Sequence, residues 1–352
     1  MNTRPSLKEL NGSRQSFGTV RTEPEPEDLV SQGPKKVPSQ TRSIVLAVLS
    51  ALFMAIAATA RGVASDTPFS SQFFLSFVFL VMASVLLGVE RRKKGAAFKM
   101  PWWVEKTDSK LGNVSLVFDW KILALTATSG LCSLISGLTI TLGYLEAVSS
   151  NSNQGIPSTV YACYIIPCSI ICWFFFGEKL SFMQSFGILI SVCGVIYLGV
   201  SKPQDAPVSD DAMSGGSYTL MIVYGALTLA LSCTDNLSVK YLFDKIGLEK
   251  SMASLVGAAS LFIYGVVGTI CLVVSTCMGY GLYSMGFSTL LMVVFAGIFV
   301  YAALTCLLMS VAIGSAGLSV AIFISFAGIQ AAICYFFLHQ QMTFGQVSGM
   351  LI

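Results

Sequence analysis

The chain has 352 residues, of which 54% are hydrophobic and 11% charged, and its formal net charge is +3. Soluble domains carry roughly a quarter charged residues, so this composition excludes an ordinary soluble enzyme. The small basic excess is concentrated in two clusters and gives no reason to expect a nucleic-acid partner.

Residues 1–42 are rich in Ser, Pro, Glu, Lys and Arg and lack apolar periodicity, which predicts a disordered tail. The acidic patch Glu23-Pro24-Glu25-Pro26-Glu27-Asp28 reads either as solvated chain or as a docking segment for a partner or sorting receptor. Apolar runs then follow at about 43–64, 69–89, 121–145, 155–176, 182–200, 217–239, 251–277, 286–309 and 316–338, with a last one opening at Phe344. A helix needs ~20 residues to cross ~30 Å of hydrocarbon, and most runs reach that length. The last is too short, which predicts that the natural chain continues past Ile352. All ten cysteines fall within these runs, where thiols behave as small apolar residues. Cys168 and Cys172 share a helix face, but His339 is the single histidine and no second cysteine pair accompanies them, so no metal and no cofactor are expected.

Positive charge is uneven along the chain. Arg4, Lys8, Arg14, Arg21, Lys35, Lys36 and Arg42 precede the first run, and Arg91, Arg92, Lys93, Lys94, Lys99, Lys106 and Lys110 fill the loop after the second. The loops on the other side are nearly bare. The positive-inside rule therefore predicts an integral multi-pass membrane protein with a cytoplasmic amino terminus, with plasma membrane and endomembrane both open. Asn113-Val114-Ser115 would then be a glycosylation sequon that is never used.

The segment 176–190, FGEKLSFMQSFGILI, returns as 338–352, LHQQMTFGQVSGMLI. Leu180/Met342, Ser181/Thr343, Phe182/Phe344, Gln184/Gln346, Gly187/Gly349, Leu189/Leu351 and Ile190/Ile352 align without a gap, and the register extends back through Cys172/Cys334, Tyr164/Phe326 and Gly155/Gly317. Two copies of one membrane unit follow. With an odd number of spans per copy, the second enters from the opposite side. The expected fold is an all-α polytopic membrane protein of ten transmembrane helices in two inverted five-helix repeats. The first repeat is 43–200, the linker 201–217, and the second repeat 218–352, with its tenth helix incomplete.

The 155–200 stretch resembles the EamA-type domains of the drug/metabolite transporter superfamily. The likeness rests on Pro157 and Pro167, on the turn Glu178-Lys179-Leu180, and on Gln184, Gly187, Gly194 and Val195 in the helix that follows. The resemblance implies a ten-helix carrier in which helices one to four and six to nine surround the substrate while five and ten are peripheral. Members of that superfamily move small organic solutes such as amino acids, nucleotide-linked sugars, nucleosides and drugs. The second copy departs from the motif, because His339-Gln340-Gln341 stands where Glu178-Lys179 would recur, so any role of those charges transfers to the first copy alone.

Ionisable residues inside spans are candidates for function once their depth is known. At 1.5 Å per residue Arg61 lies about 27 Å beyond Ser43, where its long side chain would reach the headgroups. Lys240 closes the sixth run and has the same reading. Asp235 lies about 24 Å into that run and is too short to snorkel. It opens the most polar text in any span, Asp235-Asn236-Leu237-Ser238, read either as the lining of a wet pathway or as a helix that emerges early. The polar stretch 149–154, including Asn153, precedes a helix start whose free N–H groups would suit an anionic or carbonyl-bearing solute, and plain loop chemistry accounts for it equally. Pro167 removes a backbone bond to Cys163 and would free a carbonyl at mid-membrane. Ser133, Ser136, Tyr164, Ser232 and Tyr264 fall mid-span, and Ser315, Ser319 and Gln330 belong to the matching helix of the second copy.

These residues describe a cavity of hydroxyls and amides without a midplane carboxylate. The leading expectation is a secondary transporter of a small organic metabolite working by alternating access, with no enzymatic activity. Its partners would be that small molecule and the lipid bilayer, with a homodimer left open. The alternatives are a magnesium or ion pathway, for which Asp235 and Glu146 are the candidate carboxylates, and a receptor or scaffold that transports nothing. No catalytic constellation is visible.

Overall fold

Helix α1 (Gln40–Val63) shows how this chain folds. Ala47, Ala51, Ala55 and Ala58 recur at helical spacing and are buried, whereas Val45, Val48, Leu49 and Leu52 on the other side are exposed. Large apolar side chains facing outward and small ones facing inward are what hydrocarbon, rather than water, selects: lipid solvates the large groups, and the small ones let helices approach closely. The computed structural model describes residues 40–63, 68–95, 98–107, 114–150, 152–177, 217–279, 285–313 and 316–340, together with scattered positions between 182 and 197 and Ser348. These belong to one compact unit, 38–352. Most of the expected tail, of the linker, of the fifth run and of the tenth run lies outside the described residues.

The other helices are α2 (Pro68–Lys94), α3 (Trp120–Ser149), α4 (Gly155–Ala162), α5 (Ile165–Phe176), α6 (Tyr218–Asp244), α7 (Ala253–Cys277), α8 (Phe287–Ile313), α9 (Ala316–Ile324) and α10 (Phe326–Phe337). Among the described residues seven helices are long and apolar enough to cross a membrane, counting α4 and α5 as one, and a shorter apolar helix covers Ile322–Phe337. The Asp119 carboxylate caps α3 by accepting from the Lys121 N–H at 2.9 Å, and the Ser217 hydroxyl caps α6 by accepting from Leu220 N–H. The expected all-α class needs one correction. Within the basic stretch after α2, β1 (Trp103–Thr107) and β2 (Val114–Phe118) pair antiparallel, with Trp103 opposite Phe118. Trp102 and Val104 pack with Ile122, Leu242 and Val256, so this hairpin closes over the ends of α3, α6 and α7.

Three helix pairs make the main interfaces: α1 with α8, α3 with α6, and α2 with α7. Lesser contacts join α2 to α8, α3 to α7, α4 to α6, α1 to α9 and α10, and α4 to α10. Small residues set the closest approaches. A Cβ on Gly265 would lie 2.6 Å from Leu80 N, and one on Gly130 would lie 2.5 Å from Ser260 O, so α7 meets α2 and α3 backbone to backbone.

Helices α4 and α5 are one helix broken at Cys163–Tyr164. Pro167 cannot donate to the Cys163 carbonyl, as the sequence predicts, but that carbonyl is not left free. The chain tightens so that Ile166 N–H donates to it at 2.9 Å. Helices α9 and α10 break at Ser325, where Ile329 N–H still reaches the Ser325 carbonyl at 3.2 Å. After α5 comes Gly177 with φ 67°, and after α10 comes Leu338 and then His339 with φ 52°.

Candidate functional site

A cavity of about 130 Å³ lies inside the bundle. Each helix from α1 to α10 except α5 contributes to its wall, and Tyr164, at the break before α5, stands in for that one. The end of the bundle where α1, α3 and α7 begin also receives the Arg91–Lys94 end of α2 and is called here the basic end. The opposite end, where α1 closes and α4 opens, is the bare end.

Near the basic end, Asp235 on α6 meets two hydroxyls from α3. Ser129 Oγ and Ser133 Oγ donate to its two carboxylate oxygens, the latter at 2.5 Å. Ser129 has one proton to give, so the 2.9 Å contact between its oxygen and Ser260 Oγ is a bond donated by Ser260. A chain of donors from α7 through α3 therefore ends on a carboxylate from α6. A carboxylate needs such donors when it is withdrawn from water. Asn236, next along α6, also faces the cavity, and its amide donates to Ser232 O at 2.8 Å.

Farther along the same face of α3, hydroxyls pair with α6 in two steps. Ser136 and Ser232 lie 2.9 Å apart, and Thr139 and Thr228 2.7 Å apart. The Tyr161 and Tyr164 rings stack with centroids 5.4 Å apart, and Phe326 stands 5.8 Å from Tyr161. With Phe79, Tyr264 and Phe323 these rings make the apolar part of the wall.

Arg61 overturns its expected role. It does not reach for headgroups, being only 9% exposed and turned into the bundle as part of the cavity wall. Its Nη2 donates to Gln72 Oε1 at 2.6 Å, to Gly137 O at 2.5 Å and to Thr141 Oγ1 at 2.6 Å. Gln72 is held in turn by donating to the Tyr264 hydroxyl. Depth along a helix was legible from the sequence, but the direction of the side chain was not. The helices packed around α1 offer three oxygens at the level of Arg61, and those oxygens draw it inward. Lys240, one turn before the end of α6, lies 4.0 Å from Asp244 and 5.3 Å from the Phe176 ring centroid.

Of the residues singled out in the sequence, Ser133, Ser136, Tyr164, Ser232, Asp235, Asn236 and Tyr264 line the cavity together. Four others do not. Pro167 sits one turn beyond Tyr164 and shapes the break. Ser319 belongs to a separate hydroxyl cluster with Ser310 at 2.7 Å and Ser43 at 3.3 Å, which ties α1 to α8 and α9. Gln330 is fully buried and accepts from Ser158 Oγ at 2.5 Å, and Ser158 Oγ lies 2.9 Å from the Tyr144 hydroxyl on the cavity wall. Asn153 is also fully buried, and its Oδ1 accepts from Gly155 N–H at 2.7 Å.

That contact and its neighbours correct the proposed anion site at the start of α4. Gln154 N–H donates to Gln340 Oε1 at 3.1 Å and Ile156 N–H to Asn153 O at 3.0 Å, so these donors are already satisfied within the protein. Glu146 likewise accepts from Ser217 N–H at 2.8 Å and tethers α6. Glu178, Lys179, Leu180, Gln184 and Ser315 lie outside the described residues, and Gly187 borders open space. Among the described residues no cluster of His, Cys, Asp and Glu could hold a metal ion. Cys168 meets Cys233 across α5 and α6, with sulfurs 3.0 Å apart, rather than pairing with Cys172. Sequence reasoning missed Ser129, Ser260, Gln72 and Thr141. Their only signal was a hydroxyl or amide within an apolar run.

No family model and no curated protein matches the chain. Among solved structures, one described only as the crystal structure of a protein is similar to it, with 13% identity, a TM-score of 0.52, and coverage of 89% of this chain and 95% of that one. At that identity the likeness is one of fold.

Proposed function

We propose that the chain is a secondary transporter that moves a small organic metabolite across a membrane by alternating access, built on the EamA-type plan of two inverted five-helix repeats. The observation that carries the reading is the cavity, walled by both halves of the chain and holding a buried cation and a partly buried carboxylate within apolar helices. Ionisable groups are expensive to keep inside a membrane, and they persist where they line a pathway or a site.

The pattern of contacts supports two equivalent halves. Exchanging α1 to α5 for α6 to α10 turns the α1–α8 interface into α6–α3, returns α2–α7 to itself, and turns α2–α8 into α7–α3. Ser50 on α1 donates to Ala303 O on α8 at 2.7 Å, as Thr228 on α6 meets Thr139 on α3. The spacing that aligns Tyr164 with Phe326 also aligns the break at Cys163 with that at Ser325, and left-handed Gly177 with left-handed His339. Broken helices facing a central site between inverted halves are the common arrangement of secondary carriers. A magnesium pathway has less support, since Asp235 is the one carboxylate on the wall among the described residues.

The test is uptake into vesicles carrying the purified full-length chain. Accumulation of a radiolabelled organic solute, with trans-stimulation by the unlabelled solute, is expected. Uptake of magnesium alone, or no solute movement across a broad metabolite panel, would overturn the reading.

A further inference from the structure

We propose that Arg61 is the anion-recognition residue of this cavity and that the cargo is a small organic anion, bearing a carboxylate or a phosphate group, about the size of one substituted ring. The inference rests on the carrier reading above and narrows its substrate class.

Arg61 is a cation withdrawn from water whose hydrogen bonds, among the described residues, go to neutral oxygens. Neutral acceptors orient a guanidinium but leave its charge uncompensated in a medium of low dielectric constant. The three acceptors share the two hydrogens of Nη2, so among the described residues the N–H groups of Nη1 and Nε remain for a ligand. A fork of that geometry matches the paired oxygens of a carboxylate or a phosphate. The group is also held firmly. Gln72 is pinned between Arg61 and Tyr264, and Gly137 leaves space for its amide, because a Cβ there would fall 2.5 Å from Gln72 Nε2.

Asp235 does not supply the missing charge. Helix α3 serves as a ruler, since Arg61 bonds at Gly137 and Thr141 while Asp235 bonds at Ser133 and Ser129. These contacts lie four to twelve residues apart, a separation of roughly 6–18 Å along the axis. One compact zwitterion, with its charges a carbon apart, cannot sit on both. Asp235 already accepts from two serines, whereas the charge of Arg61 faces only neutral oxygens, and this difference favours the anion. Tyr144 lines the cavity beside it and connects through Ser158 to Gln330, whose Nε2 has no acceptor among the described residues.

Size and shape narrow the class further. The cavity volume, about 130 Å³, is close to the ~150 Å³ that accommodates a benzene molecule. The stacked Tyr161 and Tyr164 rings with Phe326 offer flat apolar surface to the body of the ligand.

The experiment uses four probes of one shape and different charge: benzoate, phenyl phosphate, benzamide and benzylamine. Binding to the purified full-length protein is read by thermal shift, and uptake is measured in vesicles. At least one anion is expected to stabilise the protein and enter the vesicles, and benzamide and benzylamine to do neither. Comparison of benzoate with phenyl phosphate identifies the head group. Arg61→Gln is expected to weaken anion binding about 10-fold or more, and Arg61→Lys to restore part of it. If Arg61→Gln fails to fold, the preference of the wild type for anion over amide carries the test. Anions that bind no better than benzamide, or bind Arg61→Gln as they do the wild type, overturn the proposal. Uptake of amide or amine with anions excluded sinks the anion assignment and leaves the carrier. Anion binding that depends on Arg61, without passage of any solute, sinks the carrier reading and leaves the site.

Discussion

Asp235 and the hydroxyls around it illustrate how a single residue is tolerated in this bundle. Its two serine donors satisfy a carboxylate that hydrocarbon would otherwise reject, and the resulting site faces the cavity. Asp235→Asn keeps the shape and the acceptor for one serine while removing the charge. The variant is expected to fold with thermal stability equal to or above the wild type, because a charge partly withdrawn from water is lost, and to lose most uptake in vesicles. Unchanged uptake would mean that Asp235 only joins α3 to α6. The Thr139–Thr228 pair is the contrasting case, placed at the interface and away from the list of charges. Thr139→Val is expected to lower unfolding stability by about 0.6 kcal/mol, the usual worth of one interhelical hydrogen bond in a membrane bundle, measured by unfolding in mixed micelles. A loss beyond about 2 kcal/mol would show that more than this one bond had been disturbed.

Among the elements, the broken helix of the first half matters most. Pro167 was readable from sequence alone as the loss of one helix bond, since a proline removes one wherever it stands. How the break resolves was not readable, because it depends on whether the chain tightens or opens. Here it tightens, and the tightened turn carries Tyr161 and Tyr164 to the wall. The matching helix has Ile329 in place of the proline and a narrower break at Ser325. Pro167→Ala restores an N–H that can reach the Cys163 carbonyl. That variant is expected to reach the membrane in normal amount and to show impaired uptake, since the straightened helix moves both tyrosines. Normal uptake with Pro167→Ala would remove the break from the transport cycle. The hairpin of β1 and β2 had a fainter trace, a short alternation around Trp103 and Val117 obscured by the lysines of the same segment.

For the whole molecule, the distribution of charge and the exchange of helix contacts between halves point to one arrangement. Arg91–Lys94 ends α2 at the same end of the bundle where α1 and α3 begin. In the orientation we propose from the positive-inside rule, that end faces the cytoplasm. Asn113 directly precedes β2 in sequence, so under that orientation the sequon Asn113-Val114-Ser115 is expected to remain unmodified on expression in glycosylating cells, seen as no mobility change on deglycosylation. A sequon inserted in the loop between α7 and α8 should instead be modified. Modification at Asn113 would reverse the orientation.

The amino-acid sequence by itself determined that the chain is a bundle of apolar helices, roughly where the described ones begin, and which of them loses a backbone bond to a proline. Those properties follow from composition and local backbone chemistry, which act along one dimension. It also determined the axial depth of Arg61 and Asp235, because a helix rises uniformly with residue number. Only the tertiary structure decided which way Arg61 turns. Rotation of a helix about its axis is set by its neighbours, and here α2 and α3 present the Gln72, Gly137 and Thr141 oxygens at the level where α1 carries its cation. The gathering of Ser129 and Ser260 around Asp235 has the same origin, since α3 must meet two helices distant from it in sequence before these groups become partners.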